Sequence, residues 1–435
     1  MRGILMSKPN QFDPYAGNIL THGLGPILSR QEALSLLTYL PPQPPRDIGN
    51  IPKHIRMHLL LTLRDLHIPT LEGGRLVETI DLMIRPSYRY RDPKSPPTWG
   101  MIYGEQPTEH KTPRAPAMAA AVVGHSGTGK TEAILRGLNT YRSQIITHDS
   151  FPNIVGKHNQ VVYLSVDTPA SGRSSDLATN LMRSWDMVMS KNFPGKPERF
   201  ASTLAKERRD GPKMLDEWRH VASSHFLGLL HLDEIQNFFQ LQSLEKRKKR
   251  TDKTEGLQLS IVEDYCLKWI LTLTNTWQTA FLASGTPDGI GALTKRLSNT
   301  ERFVSSGYHV FPHFEDATNK FFFDVFFKHL VNYQYVKTRL PATPELAQLV
   351  IELTGGIPRL IIALWIAAHR VAFERKEDDL RFEDFRRAAE TYLGPVGPAV
   401  AALRSKDPLR MAKYEDLIPR DDGYWATFWT SVSSI

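Results

Sequence analysis

The sequence predicts an α/β fold with a parallel sheet, followed by an all-helical region. Between residues 116 and 312, short apolar runs alternate with helical patterns, which is typical of parallel strands joined by crossover helices. After residue 314 the strand pattern stops and helical patterns continue. A glycine-rich phosphate-binding pattern at 124–131 directly follows the first apolar run. Together these observations predict a nucleotide-binding sheet domain with a C-terminal helical lid.

The individual elements follow from hydrophobic periodicity. Amphipathic spacing predicts helices around Leu177 to Met189 and around Met214 to Val221. Thr343 before Pro344 predicts the start of a lid helix. The predicted strands are residues 117–123, 161–166, 225–232, 279–284 and 308–314.

We expect five segments along the chain. Residues 1–50 are rich in Pro and Gly and predict an extended N-terminal arm. An N-terminal helical domain is expected over 51–115, with a loop or linker at 87–100. The remaining segments are the α/β core at 116–314, the helical lid at 315–393 and a C-terminal tail at 394–435.

Composition narrows the class of protein. Lys plus Arg exceeds Asp plus Glu by 54 − 46 = 8, which favours a polyanionic partner such as nucleic acid. The single cysteine, Cys266, excludes an intrachain disulfide and fits a reducing compartment. The longest apolar run, 360–368, is far shorter than the roughly 20 residues that cross a bilayer, and no secretory signal is recognisable. We expect a cytoplasmic protein without a membrane partner.

The strongest chemical signal is the pattern GxxxxGK[ST] after the first strand. In that position, backbone N–H groups and a helix N-terminus hold phosphates. Lys130 would then reach the β and γ phosphates, and the Thr131 hydroxyl would hold Mg²⁺. The expected cofactors are therefore ATP and Mg²⁺. The predicted cofactor-binding residues are Gly124, His125, Ser126, Gly127, Thr128, Gly129, Lys130, Thr131 and Glu132.

Two adjacent carboxylates follow the strand predicted at 225–232. They stand at the sheet edge where α/β proteins bind ligands. Asp233 is the predicted acid on the Mg²⁺ side, and Glu234 is predicted to orient or deprotonate the attacking water. With the phosphate-binding loop upstream, this pair predicts a hydrolase, an ATPase, and not merely a nucleotide-binding module.

Further polar residues carry two interpretations each. Ser284 and Thr286 either sense the γ-phosphate or form a Ser/Gly/Thr/Pro turn. Arg296 and Arg302, before the last strand, either act in trans as an arginine finger or are surface charges. For Arg359, which follows a Gly-Gly turn, we favour closure over the phosphates of its own subunit.

Two basic stretches are candidate DNA contacts, with solvated loops as the alternative. The first stretch contains Lys246, Arg247, Lys248, Lys249 and Arg250, and the second contains Lys191, Lys196, Arg199 and Lys206.

The histidines form no HExxH motif and no Cys/His cluster, so we expect no metal beyond nucleotide-bound Mg²⁺.

The order of these parts resembles that of AAA+ P-loop ATPases more than that of small-molecule kinases. Within that superfamily, GHSGTGKT, VVYLSVDTP, GLLHLDEIQNF, FLASGTPDG and TERF resemble the TnsC/TniB family of transposition regulators, over about residues 51–390. The resemblance implies a Walker A pair (Lys130, Thr131), a Walker B pair (Asp233, Glu234), a first sensor (Thr286 or Ser284), a finger (Arg302) and a second sensor (Arg359).

The same resemblance implies partners. The family forms ATP-dependent oligomers, rings or helical filaments, on double-stranded DNA. These oligomers connect a target-selection protein of the TnsD/TniQ type to a TnsA/TnsB-type transposase, and some belong to CRISPR-associated transposons. Three other classes share the ATPase motifs: helicase loaders or initiators, STAND-type signalling ATPases, and nucleotide-locked scaffolds that hydrolyse slowly.

Overall fold

The chain forms two compact units. The computed structural model describes residues 12–104, 118–207, 209–241, 259–261, 264–289, 301–411, 413–414 and 417. The first unit comprises Met1–Ala33, Gly74–Val123 and Ile134–His309, and the second comprises Leu34–Gly73, Gly124–Ala133 and Val310–Ile435.

The first unit is built on a five-stranded sheet. Five of the strands in the described residues form this sheet. In chain order, the strands are β1 (Ala119–Val123), β2 (Ile145–His148), β3 (His158–Val161), β4 (Tyr163–Asp167), β5 (Leu229–Asp233), β6 (Phe239–Leu241), β7 (Leu259–Ile261), β8 (Ala280–Gly285) and β9 (Gly307–Val310). The order in the large sheet is β4-β5-β8-β1-β9, and the pairs β4/β5, β5/β8 and β1/β8 are parallel. All residues of β1, β5 and β8 are buried, as expected for central strands of a parallel sheet covered on both faces.

The core of the first unit forms between this sheet and amphipathic helices. Trp185 and Trp218, one from each of the two predicted helices, meet edge to face with ring centroids 6.2 Å apart. Both side chains are almost fully buried. The helices assigned to this unit are Ile19–His22, Leu71–Tyr90, Pro96–Ile102, Ser174–Asn192, Ala201–Leu204, Gly211–Ser224 and Asp264–Asn275.

The second unit is helical and has its own core. Trp365 is fully buried there and donates from Nε1 to the Tyr333 carbonyl oxygen at 2.9 Å. The predicted cap is confirmed, because the Thr343 side chain accepts from the Leu346 backbone N–H. Its helices are Lys53–Leu60, the π-helix Phe321–Phe327, Lys328–Val331, Pro344–Thr354, Pro358–Phe373, Phe382–Tyr392, Gly397–Ser405 and Pro408–Met411, with 3₁₀ turns at Ile48–Asn50, Leu61–Asp65 and Gly394–Val396. Three helices contain residues of both units: Arg30–Leu37, Lys130–Leu138 and Leu71–Tyr90, whose residues up to Gly73 belong to the second unit.

The predicted parallel strands are confirmed, each shifted by a few residues. The run at 161–166 divides, because the chain leaves one strand at Val161 and begins the next at Tyr163. Sequence reasoning missed two antiparallel pairs, β2 with β3 and β6 with β7. Their strands are three or four residues long and carry polar residues such as Thr147 and Asn159, so no apolar run announces them.

The prediction of an extended N-terminal arm is wrong for the described part of residues 1–50. Leu20 is fully buried, and its carbonyl oxygen accepts from Gln160 Nε2 at 2.9 Å. Asn18 caps the helix Ile19–His22 by accepting from the Leu20 N–H. The Pro and Gly residues set turns between short helices, and the apolar residues between them still pack.

Residues 51–104, the described part of the helical domain predicted at 51–115, also do not form a separate domain. Arg56, in the second unit, donates to Asp378 Oδ1 at 2.7 Å and to the Tyr335 carbonyl oxygen at 3.0 Å. In the first unit, Tyr88 donates to the Phe226 carbonyl oxygen at 3.1 Å and Arg91 to that of Leu227 at 2.8 Å. The segment therefore contributes to two cores instead of building its own.

Two predicted irregular segments, the loop at 87–100 and the tail from 394, contain helices in the structure because apolar side chains are buried there. The expected loop or linker at 87–100 is largely helical, since one helix continues through Pro86 to Tyr90 and another occupies Pro96–Ile102. The first part of the expected tail forms the helix Gly397–Ser405, whose residue Leu403 joins an apolar cluster with Ile357.

Within the described ranges, no helix alone has the length and the apolar content that crossing a membrane requires. The helices Pro344–Thr354 and Pro358–Phe373 reach that length and apolar content only together, and they are bent by 110° relative to each other.

The first prediction concerns the packing of the N-terminal segment around Leu20. Leu20→Ala creates a cavity in the first unit and should lower its free energy of unfolding by about 2–5 kcal/mol in urea titrations. The matched control is Ile27→Ala, since Ile27 is 50% exposed and its truncation should change stability by less than about 0.5 kcal/mol. Equal effects of the two substitutions would contradict the packed arrangement.

Candidate nucleotide site

The phosphate-binding loop belongs to the second unit and has the backbone that its glycines allow. Gly127 has φ +85° and Gly129 has φ +91°, values that strain any residue with a Cβ. Lys130 begins the helix Lys130–Leu138, and its Nζ donates to the carbonyl oxygens of Gly124 at 2.6 Å and His125 at 3.1 Å. The loop therefore wraps around the lysine ammonium in front of a helix N-terminus, a geometry suited to anions.

The helix Pro358–Phe373, called the lid helix below, begins directly against this loop. Arg359 N–H donates to the Gly127 carbonyl oxygen at 3.2 Å. A Cβ added at Gly127 would lie only 2.9 Å from Ile357 Cγ2 and 3.0 Å from Arg359 Cβ. The preceding turn is equally tight, because a Cβ at Gly356 would lie 1.7 Å from the Phe314 carbonyl oxygen. The Gly-Gly turn thus brings Arg359 to the loop.

A cavity of about 850 Å³ opens beside the loop, entirely within the second unit. Its volume lies within the range of small-ligand sites. It is lined by the loop and lid residues Gly127, Thr128, Gly129, Glu132 and Arg359, by apolar side chains such as Met57, Leu61, Ile68, Ile362 and Ile366, and by the charged residues Arg64, Asp65 and Arg370. Phosphates at the loop and a base against the apolar side chains would match this lining. We therefore conclude that the residues present fit a nucleotide.

Sequence reasoning missed one wall of this cavity. Residues between Met57 and Gly73 contribute to it, yet they precede the loop by more than fifty positions. Their apolar spacing predicts a helix, which is found, but the same spacing cannot distinguish a core-facing side chain from one that lines a cavity. No local sequence signal identifies them.

The predicted acid pair lies in the first unit, at the carboxyl end of β5. Asp233 is only 4% exposed, and its Oδ1 accepts from Ser284 Oγ at 2.5 Å and from the Glu234 backbone N–H at 2.9 Å. Glu234 is exposed and has φ +54°, a left-handed conformation uncommon for a residue with a side chain. One carboxylate is therefore held and buried, while the other stands on a strained backbone and faces outward.

A chain of hydrogen bonds supports Asp233 from inside the sheet. His231 Nε2 lies 2.7 Å from Ser284 Oγ, and His231 Nδ1 lies 2.8 Å from Ser165 Oγ. Since a carboxylate only accepts, Ser284 donates to Asp233, and His231 Nε2–H in turn donates to Ser284. Burial lowers the pKa of His231 to about 4, despite the nearby Asp233 carboxylate, so the ring is neutral at pH 7. Its Nδ1 then accepts from Ser165.

The two sensor candidates differ in their surroundings. Ser284 is fully buried in β8, and its hydroxyl proton is directed at Asp233. Thr286 follows β8 and is 6% exposed, and its Oγ1 has no hydrogen-bond partner within the described ranges. A buried hydroxyl without a partner favours Thr286 over Ser284 for contact with a ligand.

The remaining predicted residues are placed as follows. Arg302 is exposed shortly before β9, and Arg296 lies outside the described residues, as do Lys246, Arg247, Lys248, Lys249 and Arg250. Lys191, Lys196, Arg199 and Lys206 are all exposed along one segment. Lys196 Nζ stacks 4.6 Å from the Phe193 ring centroid, and Arg199 lies 3.8 Å from a Glu217 carboxylate oxygen. The arginine finger and the DNA contacts stay predictions.

The residues fit Mg²⁺ by their donor chemistry. Mg²⁺ prefers oxygen ligands, usually one or two from the protein in combination with phosphates and water. Asp233, in the first unit, has a carboxylate, and Thr131, in the second unit, has a hydroxyl, and each is by itself an oxygen donor of the kind that Mg²⁺ takes. When bound with ATP, Mg²⁺ would neutralise charge on the phosphates.

The parallel sheet, the loop that precedes a helix and the acid pair at a strand end define an α/β P-loop NTPase. Residues 114–277 match the family described as an AAA domain. The chain thus carries an AAA+ P-loop ATPase domain. Among solved structures, it is similar to a Walker-type ATPase of Pyrococcus abyssi, with 14% identity and a TM-score of 0.38 over 68% of this chain and 72% of that one. No match was found among curated proteins.

The second prediction concerns the hydrogen bond from Ser284 to Asp233. Ser284→Ala removes the donor to Oδ1 and leaves His231 Nε2–H without its acceptor. We expect Mg²⁺-dependent ATP hydrolysis to fall about 10- to 100-fold, the usual effect of losing a group that orients a metal ligand, which is the role predicted for Asp233. Steady-state ATPase assays across a Mg²⁺ titration measure this. As a control, Ser224→Ala removes another partly buried serine hydroxyl bonded only to a helix carbonyl, and it should retain wild-type rates.

Proposed function

We propose that this protein is an ATP-dependent, DNA-binding AAA+ regulator of DNA transposition, which assembles on target duplex DNA and links target selection to a transposase. The observation that carries the proposal is the cavity in the second unit, where the phosphate-binding loop meets Arg359 and the lid helix. Because the loop and the lid are in direct contact, occupation of the cavity would change the packing of the lid. Such coupling is what nucleotide-controlled assembly requires.

The proposed DNA partner is supported by charge. The chain carries a net charge of +8, and Lys191, Lys196, Arg199 and Lys206 are exposed on one segment. Basic side chains on a surface segment suit phosphate contacts, which bind duplex DNA with little base readout. The transposase and the target-selection protein are proposed from the TnsC/TniB resemblance of the motifs, and so is assembly into a ring or filament.

Two other functions remain as alternatives. A helicase loader or initiator would use the same ATPase residues and would also bind DNA, but it would act on a helicase and not on a transposase. A STAND-type signalling ATPase would bind nucleotide without needing DNA. The first experiment below separates the signalling ATPase from the DNA-bound classes, and stimulation of a transposase then separates the two DNA-bound classes.

The third prediction concerns assembly on DNA. Co-sedimentation with duplex DNA should require a non-hydrolysable ATP analogue, fail with ADP and fall steeply between two salt concentrations, because phosphate contacts dominate. Lys130→Ala should abolish it. Lys157→Ala is the matched control, because it removes an exposed lysine that pairs with Asp149. Nucleotide-independent sedimentation, or none at all, would contradict the proposal.

The fourth prediction concerns the role of hydrolysis. Glu234→Gln keeps the side-chain size but removes the proposed base, so ATP should still bind and hydrolysis should fall by about 10²-fold or more. If hydrolysis releases the assembly, the variant should stay on DNA longer than wild type when chased with competitor DNA under ATP. Faster release by the variant would show that hydrolysis does not time dissociation.

A further inference from the structure

Beside the acid pair lies a side chain that the ATPase motifs do not account for. Gln236 Nε2 donates to Glu234 Oε2, and Gln236 Oε1 accepts from the Thr286 backbone N–H at 3.3 Å. The orientation of the amide follows from its partners, because a carboxylate needs a donor and an N–H needs an acceptor. One amide thus joins the proposed base to the residue that follows β8.

The surroundings of Gln236 are built for this close approach. A Cβ at Gly289 would lie 2.5 Å from Gln236 Cβ and 2.6 Å from its Cα. A Cβ at Gly285 would lie 2.7 Å from Gln236 Oε1. Neither glycine has a positive φ, so a side chain at either position would be opposed by the nearness of Gln236 and not by the backbone conformation. The neighbouring Ile235 is fully buried and fixes the backbone at this point.

Glu234 needs such a restraint. It is exposed and follows the rigid β5 strand with a left-handed backbone, so packing alone does not set its side-chain rotamer. A carboxylate that orients water must be held within a narrow range of positions, because a displacement of about 1 Å can cost two orders of magnitude in rate. Gln236 supplies a hydrogen bond that restricts it.

We propose that Gln236 is a positioning residue for ATP hydrolysis, which holds the Glu234 carboxylate in a fixed relation to Thr286. The proposal rests on the ATPase part of the proposed function and is independent of the DNA and transposase parts. Thr286 Oγ1, buried and without a partner in the described ranges, lies on the same residue whose N–H Gln236 holds. Base and candidate sensor are thereby connected through one side chain.

The test compares two variants with a matched control. Gln236→Leu removes both hydrogen bonds at similar volume, and Gln236→Glu keeps an acceptor for Thr286 but places a carboxylate against Glu234. Both should lower kcat about 10- to 100-fold while the Kd for ATP, measured by calorimetry, changes less than about twofold. Gln348→Leu is the control, since it removes an equivalent amide–carboxylate pair with Glu352 at 3.0 Å on a lid helix. It should keep wild-type kcat.

A double substitution separates positioning from a structural role. If Gln236 acts through Glu234, the Glu234→Gln/Gln236→Leu protein should hydrolyse ATP in single turnover no more slowly than Glu234→Gln alone. Multiplying rate losses would overturn the proposal, and so would a Gln236→Glu protein with wild-type kcat. A wild-type protein without ATPase activity would instead refute the proposed function, and this proposal with it. Loss of activity in Glu234→Gln but not in the Gln236 variants refutes this proposal alone.

Discussion

The arrangement of the second unit depends on the contact between the phosphate-binding loop and the first turn of the lid helix. The Arg359 N–H bonds the Gly127 carbonyl oxygen, and Ile357 lies so close that only glycine fits at position 127. This contact places a helix N-terminus, an arginine and the loop along one wall of the cavity. Any change in the loop backbone must therefore be accommodated by the lid, because packed interiors transmit displacement and do not absorb it.

In the first unit, the two acidic residues divide the chemistry by environment. Asp233 is buried and receives two hydrogen bonds on one oxygen, and the neutral His231 orders the serine that supplies one of them. Such a carboxylate is preorganised for a fixed cation. Glu234 is exposed, has a strained backbone and accepts a hydrogen bond from Gln236. The pair thus combines one buried and one exposed oxygen donor.

The parallel strands and the phosphate-binding loop could be predicted, because their sequence patterns are local. The apolar runs fixed the parallel strands, and the glycine pattern fixed the loop, since both depend on a few consecutive residues. The N-terminal segment was predicted wrongly as an extended arm, because Pro and Gly content does not reveal that Leu20 is buried. The wall from Met57 to Gly73 and the contact of Gln236 with Thr286 join residues far apart in the chain, and no spacing rule predicts them.

The left-handed backbone at Glu234 shows how sequence and site are connected. A residue with a side chain pays about 1–2 kcal/mol to adopt this conformation. The strain persists because both neighbours are fixed: Asp233 by Ser284, and Ile235 by complete burial. Strained residues that their surroundings hold in place concentrate at functional sites. Glycine at position 234 would relieve the strain but remove the carboxylate, so the strain is itself an argument that the side chain at this position is needed.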